Sequence, residues 1–259
     1  MPTLTVLCVA ILPVFILLWV VYRKDKFQKE PAGLLLRTFL LGIFSVLPAA
    51  LLEWLAMHFT PSMPVAGSFY NGFCVAGLCE EGCKLLLLYW LIWRNPYFDE
   101  YFDGIVYAVF LSMGFACAEN LTYVFGAGDY FASLATGFMR ALLSVPAHFL
   151  FAVVMGYHFA LAKFDPVKRR SHLLKAFLFP MLMHGTFDTI LMVASEGVDA
   201  SVGFLLLLLF VWFDIRMWKW GVRRIGRLQE YSSQQQFDRS NPFAGFQWIS
   251  LLFVIVPFI

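Results

Sequence analysis

The sequence predicts an all-α, polytopic transmembrane helical bundle of about seven spans, and three observations carry that prediction. Apolar residues make up 61% of the chain and charged residues only 14%, a balance foreign to soluble domains. Apolar runs of about 20 residues recur along the whole length, each long enough at 1.5 Å per residue to cross a hydrocarbon layer of about 30 Å. Lysines and arginines gather in alternate connections, as they do when a chain crosses a membrane repeatedly.

In order, the runs fall at 3–22, 34–59, 68–93, 103–125, 130–162, 174–195 and 201–220. The first lacks a basic leader and is followed by Arg23, Lys24, Lys26 and Lys29, so it reads as a retained helix rather than a signal peptide. The closing stretch 246–259 is short for a span and reads as an interfacial segment or a candidate eighth. Residues 229–245 form a polar cytoplasmic segment. The whole chain, 1–259, reads as one integral membrane domain, with short loops and no internal repeat.

Basic residues follow the first run (Arg23 to Arg37), the fifth (Lys163 to Lys175) and the end of the seventh (Arg216 to Arg227), with Arg94 after the third. The connections at 58–67, 126–129 and 195–201 carry none. The positive-inside rule therefore places the N-terminus outside and the basic loops in the cytoplasm. All five cysteines lie inside apolar runs, so a disulfide framework is not expected. No basic-aromatic surface or Gly-rich phosphate loop points to nucleic acid or nucleotides.

The informative residues are the ionisable ones inside the spans. Each Asp, Lys or Arg near a bilayer centre costs about 2.5–3.5 kcal/mol on the insertion scale and is a functional candidate by default. The second run holds Glu53; the third, Glu80, Glu81 and Lys84; the fourth, Glu119 beside Asn120; the fifth, Arg140, His148 and His158; the sixth, His184 and Asp188. Glu80 and Lys84 are four apart, Glu81 and Lys84 three apart, and His184 and Asp188 four apart, so each set shares a helical face. Phe115 shares a face with Glu119. Counting from the run ends puts Glu80, Glu81 and His184 near the bilayer middle and Glu119 and Asp188 one or two turns nearer the outer face, close enough to meet in one cavity.

Such a cavity suits hydrolysis. Two neighbouring carboxylates of low dielectric divide into one that keeps a proton and one that acts as a base. Histidine can hold or activate a water, with an aspartate one turn away to orient it, and Asn120 or His148 can donate to a developing oxyanion. Arg140 and Glu53 carry no motif and read as structural, with Arg140 a candidate partner for a site carboxylate. The competing reading for Glu80, Glu81 and Lys84 is a buried ion pair that fixes helix packing.

In sequence order, Glu80-Glu81-x-x-Lys84, Phe115-x-x-x-Glu119-Asn120, His148 and His184-x-x-x-Asp188 resemble the motifs of the PrsW-type intramembrane proteases, relatives of the type II CAAX prenyl proteases and of the Aph-1 subunit of γ-secretase. The motifs span 77–188. The resemblance implies an endopeptidase that cuts a membrane-anchored, single-pass protein of the anti-sigma-factor kind, in a bacterial inner membrane. It also implies catalytic roles for Glu80, Glu81, Glu119, His148 and His184, with Lys84, Phe115, Asn120 and Asp188 in support. Glu119 and Lys84 stand where the CAAX relatives have histidine and arginine, which favours the PrsW branch.

Gly126-Ala-Gly-Asp129 imitates the GxGD signature of intramembrane aspartyl proteases, with Asp103 as its partner. A helix between those aspartates would hold them about 39 Å apart, so a glycine turn is expected instead. No HExxH or GxSG motif is present. A metal-free glutamate mechanism is favoured because Lys84 already offsets the carboxylate charge; a zinc ion, if bound, would use Glu80, Glu119, His148 and His184, with Cys79 or Cys83 as further candidates. A non-catalytic Aph-1-like scaffold, a metal-dependent CAAX-type protease and a proton-coupled transporter are the alternatives.

Overall fold

The computed structural model describes residues 2–195 and 199–240, so the 246–259 stretch lies outside the described residues. The described chain forms α1 (Pro2–Lys24), α2 (Ala32–Met57), α3 (Pro64–Tyr70), a π-helical turn (Asn71–Gly77), α4 (Leu78–Ile92), α5 (Asp103–Gly126), α6 (Tyr130–Leu142), α7 (Ser144–Phe164), α8 (Arg169–Ser195) and α9 (Ala200–Ser240). No strand occurs among the described residues. Six runs are long and apolar enough to cross a membrane: Thr3–Lys24, Ala32–Met57, Asp103–Gly126, Tyr130–Phe164, Arg169–Ser195 and Ser201–Gln236. The helical stretch 64–92 is divided by the π turn and carries three charges, yet at 1.5 Å per residue it measures about 43 Å and also reaches across.

Helices α5 and α7 form the centre, with most of their residues buried. The start of α5 and the later part of α7 meet backbone to backbone: a Cβ on Gly156 would overlap the Gly104 carbonyl, and one on Gly104 would sit 2.7 Å from the Ala160 Cβ. Around this pair, α1 and α2 pack on α5, α8 packs on α7, and the π turn and α4 fill the gap between α2 and α8. In lipid no hydrophobic force drives such contacts, so small residues and close packing must supply them. Helix α2 accordingly buries Thr38, Gly42, Ser45 and Ala49 on one stripe. Gly42 lies on the Leu111 backbone and Gly114 on the Phe39 backbone, where a side chain on either would overlap main chain. Helix α1 buries Val6, Ala10, Val14, Leu18 and Val21, while Leu12, Phe15, Ile16 and Trp19 face outward.

The structure departs from the expected spans in three places. The run 130–162 is not one helix but α6 and α7, broken at Leu143 (φ −115°, ψ −66°). Pro146 explains the break, because its ring would clash with the Leu142 carbonyl and it has no N–H to donate. The third run begins earlier, at Pro64, and its π turn re-aims the helix before the charged residues. Finally, the seventh run does not end its helix at 220: α9 continues through 229–240. The Ser232 hydroxyl there accepts from Phe102 N–H (2.9 Å), and Gln235 donates to the Asp99 carbonyl (2.9 Å). The turn after α5 is as expected: Gly128 has φ +99°, and Asp129 caps α6 by accepting from the Phe131 and Ala132 amides (2.8 and 2.9 Å). Asp103 opens α5 and Asp129 follows its far end, so the GxGD likeness brings no pair of aspartates together.

Candidate active site

The site starts from Lys84, which is fully buried. Helical spacing lets its ammonium donate to Glu80 Oε2 at 3.0 Å and Glu81 Oε1 at 2.8 Å. The same nitrogen lies 4.0 Å from the centre of the Phe115 ring and 3.3 Å from His148 Nδ1. A charge with so many partners tolerates its place among apolar helices, because each contact replaces lost water.

Four other helices close on this anchor. From α8, His184 places Nδ1 3.0 Å from Glu81 Oε1 and Nε2 3.2 Å from Asp188 Oδ2, one turn further along its own helix. From α7, His148 places Nε2 2.8 Å from Glu119 Oε2 of α5. The two imidazoles stand nearly perpendicular, 5.3 Å between centres, and Phe151 stacks on His184 at 4.9 Å. From α6, Arg140 Nη2 reaches Glu119 Oε2 at 2.8 Å, and its Nε donates to Asn120 Oδ1 at 2.6 Å. Local packing makes the approach possible. Gly72 and Gly77 of the π turn lie against Gly185 and the Met181 carbonyl of α8, so a side chain at either would push His184 away from Glu81. The Ser112 hydroxyl donates to the His148 carbonyl (3.1 Å), pinning α7 to α5 at the same level.

These groups border a cavity of about 300 Å³ whose wall includes Glu53, Glu80, Glu119, Tyr123, Arg140, His148, His184 and Asp188. Glu80 is 6% exposed and faces it, whereas Glu81, at 0%, sits behind. The wall is polar on the side of these residues and apolar at Met57, Val75, Leu191 and Met192.

Six similar proteins match this chain strongly, among them the protein named Protease PrsW of Clostridioides difficile (strain 630), 37% identical over 88% of this chain and 93% of its own. Those of Geobacillus kaustophilus (strain HTA426) and Bacillus subtilis (strain 168) are each 34% identical, over 83% and 82% of this chain and 88% and 93% of theirs. A family model described as PrsW family intramembrane metalloprotease matches residues 30–214. The chain belongs to the PrsW family of intramembrane proteases. No solved structure matches it. The whole cavity wall, from Glu53 to Met192, lies inside the matched segment.

Of the residues singled out in the sequence, Glu80, Glu81, Lys84, Phe115, Glu119, His148, His184 and Asp188 come together, and Asn120 does not face the cavity. Its amide donates to the Ala10 carbonyl (3.0 Å) and its oxygen accepts from Arg140, so it tethers helices and is not placed to meet an oxyanion. Arg140 and Glu53, read as structural, stand on the cavity wall instead. The only signal for them was the cost of a charge inside an apolar run.

The description of the PrsW family as metalloproteases makes the donor atoms worth testing for a metal. Glu80, Glu81, His148 and His184 each offer one ligand atom, all within 4.8 Å of one another, a donor set that suits zinc. This differs from the set expected from sequence: Glu81 takes the place of Glu119, which lies behind His148 as its hydrogen-bond partner. Cys79 and Cys83 face a separate apolar groove with Leu52 and Leu55 and add no ligand. The Lys84 ammonium touches three of the four donors, so an ion entering this set has to displace it.

Proposed function

We propose that this chain is an intramembrane endopeptidase that cuts a single-pass, membrane-anchored protein of the anti-sigma-factor kind, using Glu80 and the histidines around it to activate water. The observation that supports this reading is the shared cavity: acid, base and imidazole groups from five helices border one space large enough for water and a peptide, inside a layer that otherwise excludes both.

In the proposed reaction Glu80 takes a proton from the attacking water and returns it to the leaving amine. Glu81 and Lys84 hold Glu80 in place from behind. Glu119 orients His148, and Glu81 orients His184, whose second nitrogen is aimed toward Asp188 on the cavity wall. Each ring is held on both nitrogens, His148 between Lys84 and Glu119 and His184 between Glu81 and Asp188, which fixes its plane beside the space for water. Arg140 lies on the same wall, a cation suited to stabilising the tetrahedral oxyanion. A zinc ion held by Glu80, Glu81, His148 and His184 would, when bound, polarise the carbonyl and acidify the water.

The proposal extends to placement: N-terminus outside, basic loops in the cytoplasm, in a bacterial inner membrane, as the charge pattern and the bacterial relatives favour. Kinship to the CAAX proteases and Aph-1 remains part of the same proposal, resting on motif order.

The test is cleavage of a single-pass substrate by the full chain in liposomes, with the cut mapped by mass spectrometry. A cut in the outer part of the substrate's span, lost in Glu80→Gln and Glu81→Gln proteins of unchanged helicity, is the expected result. Cutting by both variants at the wild-type rate removes the proposal, and a tight complex without cutting assigns the chain a scaffold role.

A further inference from the structure

Glu53 has no counterpart in the chemistry above. It lies in α2 four residues before the helix end at Met57, in a stretch that is otherwise apolar, and it is partly buried on the cavity wall. Among the described residues it makes no ion pair or side-chain hydrogen bond. The charges whose field it feels most are Glu119, Lys84, His184 and Asp188. Lys84 is already held between Glu80 and Glu81, and Arg140 is held by Glu119 and Asn120. Of the four carboxylates on the wall, Glu80 is paired with Lys84, Glu119 with Arg140 and His148, and Asp188 with His184, which leaves Glu53 without a partner.

A carboxylate kept in a membrane helix without an internal partner calls for a partner from outside. From these placements we infer that Glu53 is a specificity-determining residue that receives a lysine or arginine side chain of the substrate, next to the scissile bond. This rests on the endopeptidase reading and adds a substrate class to it. The fit is chemical and positional. A long basic side chain lays its methylenes along apolar wall such as Met57 and Val75, and brings its charge to a carboxylate that lacks one. The same field disfavours an acidic side chain at that place, so discrimination comes from repulsion as well as attraction. It also gives a reason for Glu53 on the wall, where water chemistry alone does not ask for another carboxylate.

The test uses the full chain in liposomes with single-pass substrates that differ only in carrying Lys, Gln or Glu at each residue flanking the scissile bond. At one flanking position the wild type is expected to cut the Lys substrate about tenfold faster than the Gln substrate, and the Glu substrate slowest. In Glu53→Gln the Lys-to-Gln ratio falls to about one, and in Glu53→Lys the order inverts. Glu53→Asp keeps the charge and the Lys preference, which preserves the test if the neutral variant does not fold. Equal wild-type rates on all three substrates overturn the inference while leaving the protease reading intact. A Lys preference that survives in Glu53→Gln also overturns it, assigning the recognition to another carboxylate. Absence of cutting on every substrate by folded wild type overturns the protease reading, and this inference with it.

Discussion

The chain buries two acidic clusters, and they are built differently. In one, Glu80, Glu81 and Glu119 are matched by Lys84, Arg140, His148 and His184, and the group opens onto a cavity. In the other, near the basic ends of the helices, the buried acids Asp25, Glu30, Glu100 and Asp103 gather. There Tyr107 donates to Glu30, Asp103 Oδ2 accepts from the Asp99 and Glu100 amides (3.0 and 2.6 Å), and Gln236 donates to Glu100 (3.2 Å). Among the described residues, neutral donors make these hydrogen bonds of the second cluster, and the cavity of about 300 Å³ borders the first. Burial of acids alone therefore does not point to a reaction site. Bases facing the acids across a space large enough for water support the one proposed.

The second cluster behaves as a clasp that ties the α1–α2 connection and the end of α9 to the start of α5. Burial pushes the Glu30 carboxyl up to about 7, against the pull of the Tyr107 hydrogen bond, and pushes Asp25 up to about 6. A carboxyl raised in the folded state is bound to its proton more tightly there than in the unfolded chain. Its contribution to stability is complete below about pH 4.5 and is lost as pH rises through about 7.

The comparison can be broken from either side. The largest structural effect is expected from Lys84→Met, which leaves two buried carboxylates without their cation and costs about 3–5 kcal/mol of stability. It also removes the ammonium that competes for the donor set, so zinc titration of the purified variant should show affinity raised at least about tenfold over wild type. Unchanged affinity would mean that ion and ammonium do not share the space. Next comes pH. Wild-type melting temperature should fall by several degrees between pH 5 and pH 8 (roughly, from the shifts above), and Glu30→Gln should flatten that slope without altering zinc affinity. A slope that persists in Glu30→Gln would take the titration away from the clasp. The smallest effect is Ser232→Ala, which removes the acceptor of the Phe102 amide and should cost about 1 kcal/mol in thermal unfolding, with cutting by the site undisturbed.

How much of each cluster was legible in the sequence follows from where its charges sit. Glu80, Glu81, Lys84, His184 and Asp188 stand out because they interrupt apolar helices at spacings of three and four, and the cost of inserting them is itself a signal. Glu53 and Arg140 carry that cost singly, with no helical neighbour to suggest a site, and only the packing of α2 and α6 on α5 and the π turn brings them to the wall. The clasp was invisible because Asp25, Glu30, Asp99 and Glu100 lie in connections, where charges are ordinary, and the partner of Glu30 is Tyr107, far along the chain. The helical bundle was readable from hydropathy. The break at Leu143 had a readable cause in Pro146, whereas the helical end of α9 depends on contacts with the α4–α5 loop that its serine- and glutamine-rich composition does not announce.

The central claim is that water held against Glu80 does the chemistry. It is tested most directly by following cleavage of a reconstituted single-pass substrate in ¹⁸O-labelled water, by wild type and by Glu80→Gln of matched melting temperature. The account predicts one ¹⁸O atom in each new carboxyl terminus from the wild type, and a rate lower by about 10³ or more in the variant. Cutting by Glu80→Gln at the wild-type rate would contradict it.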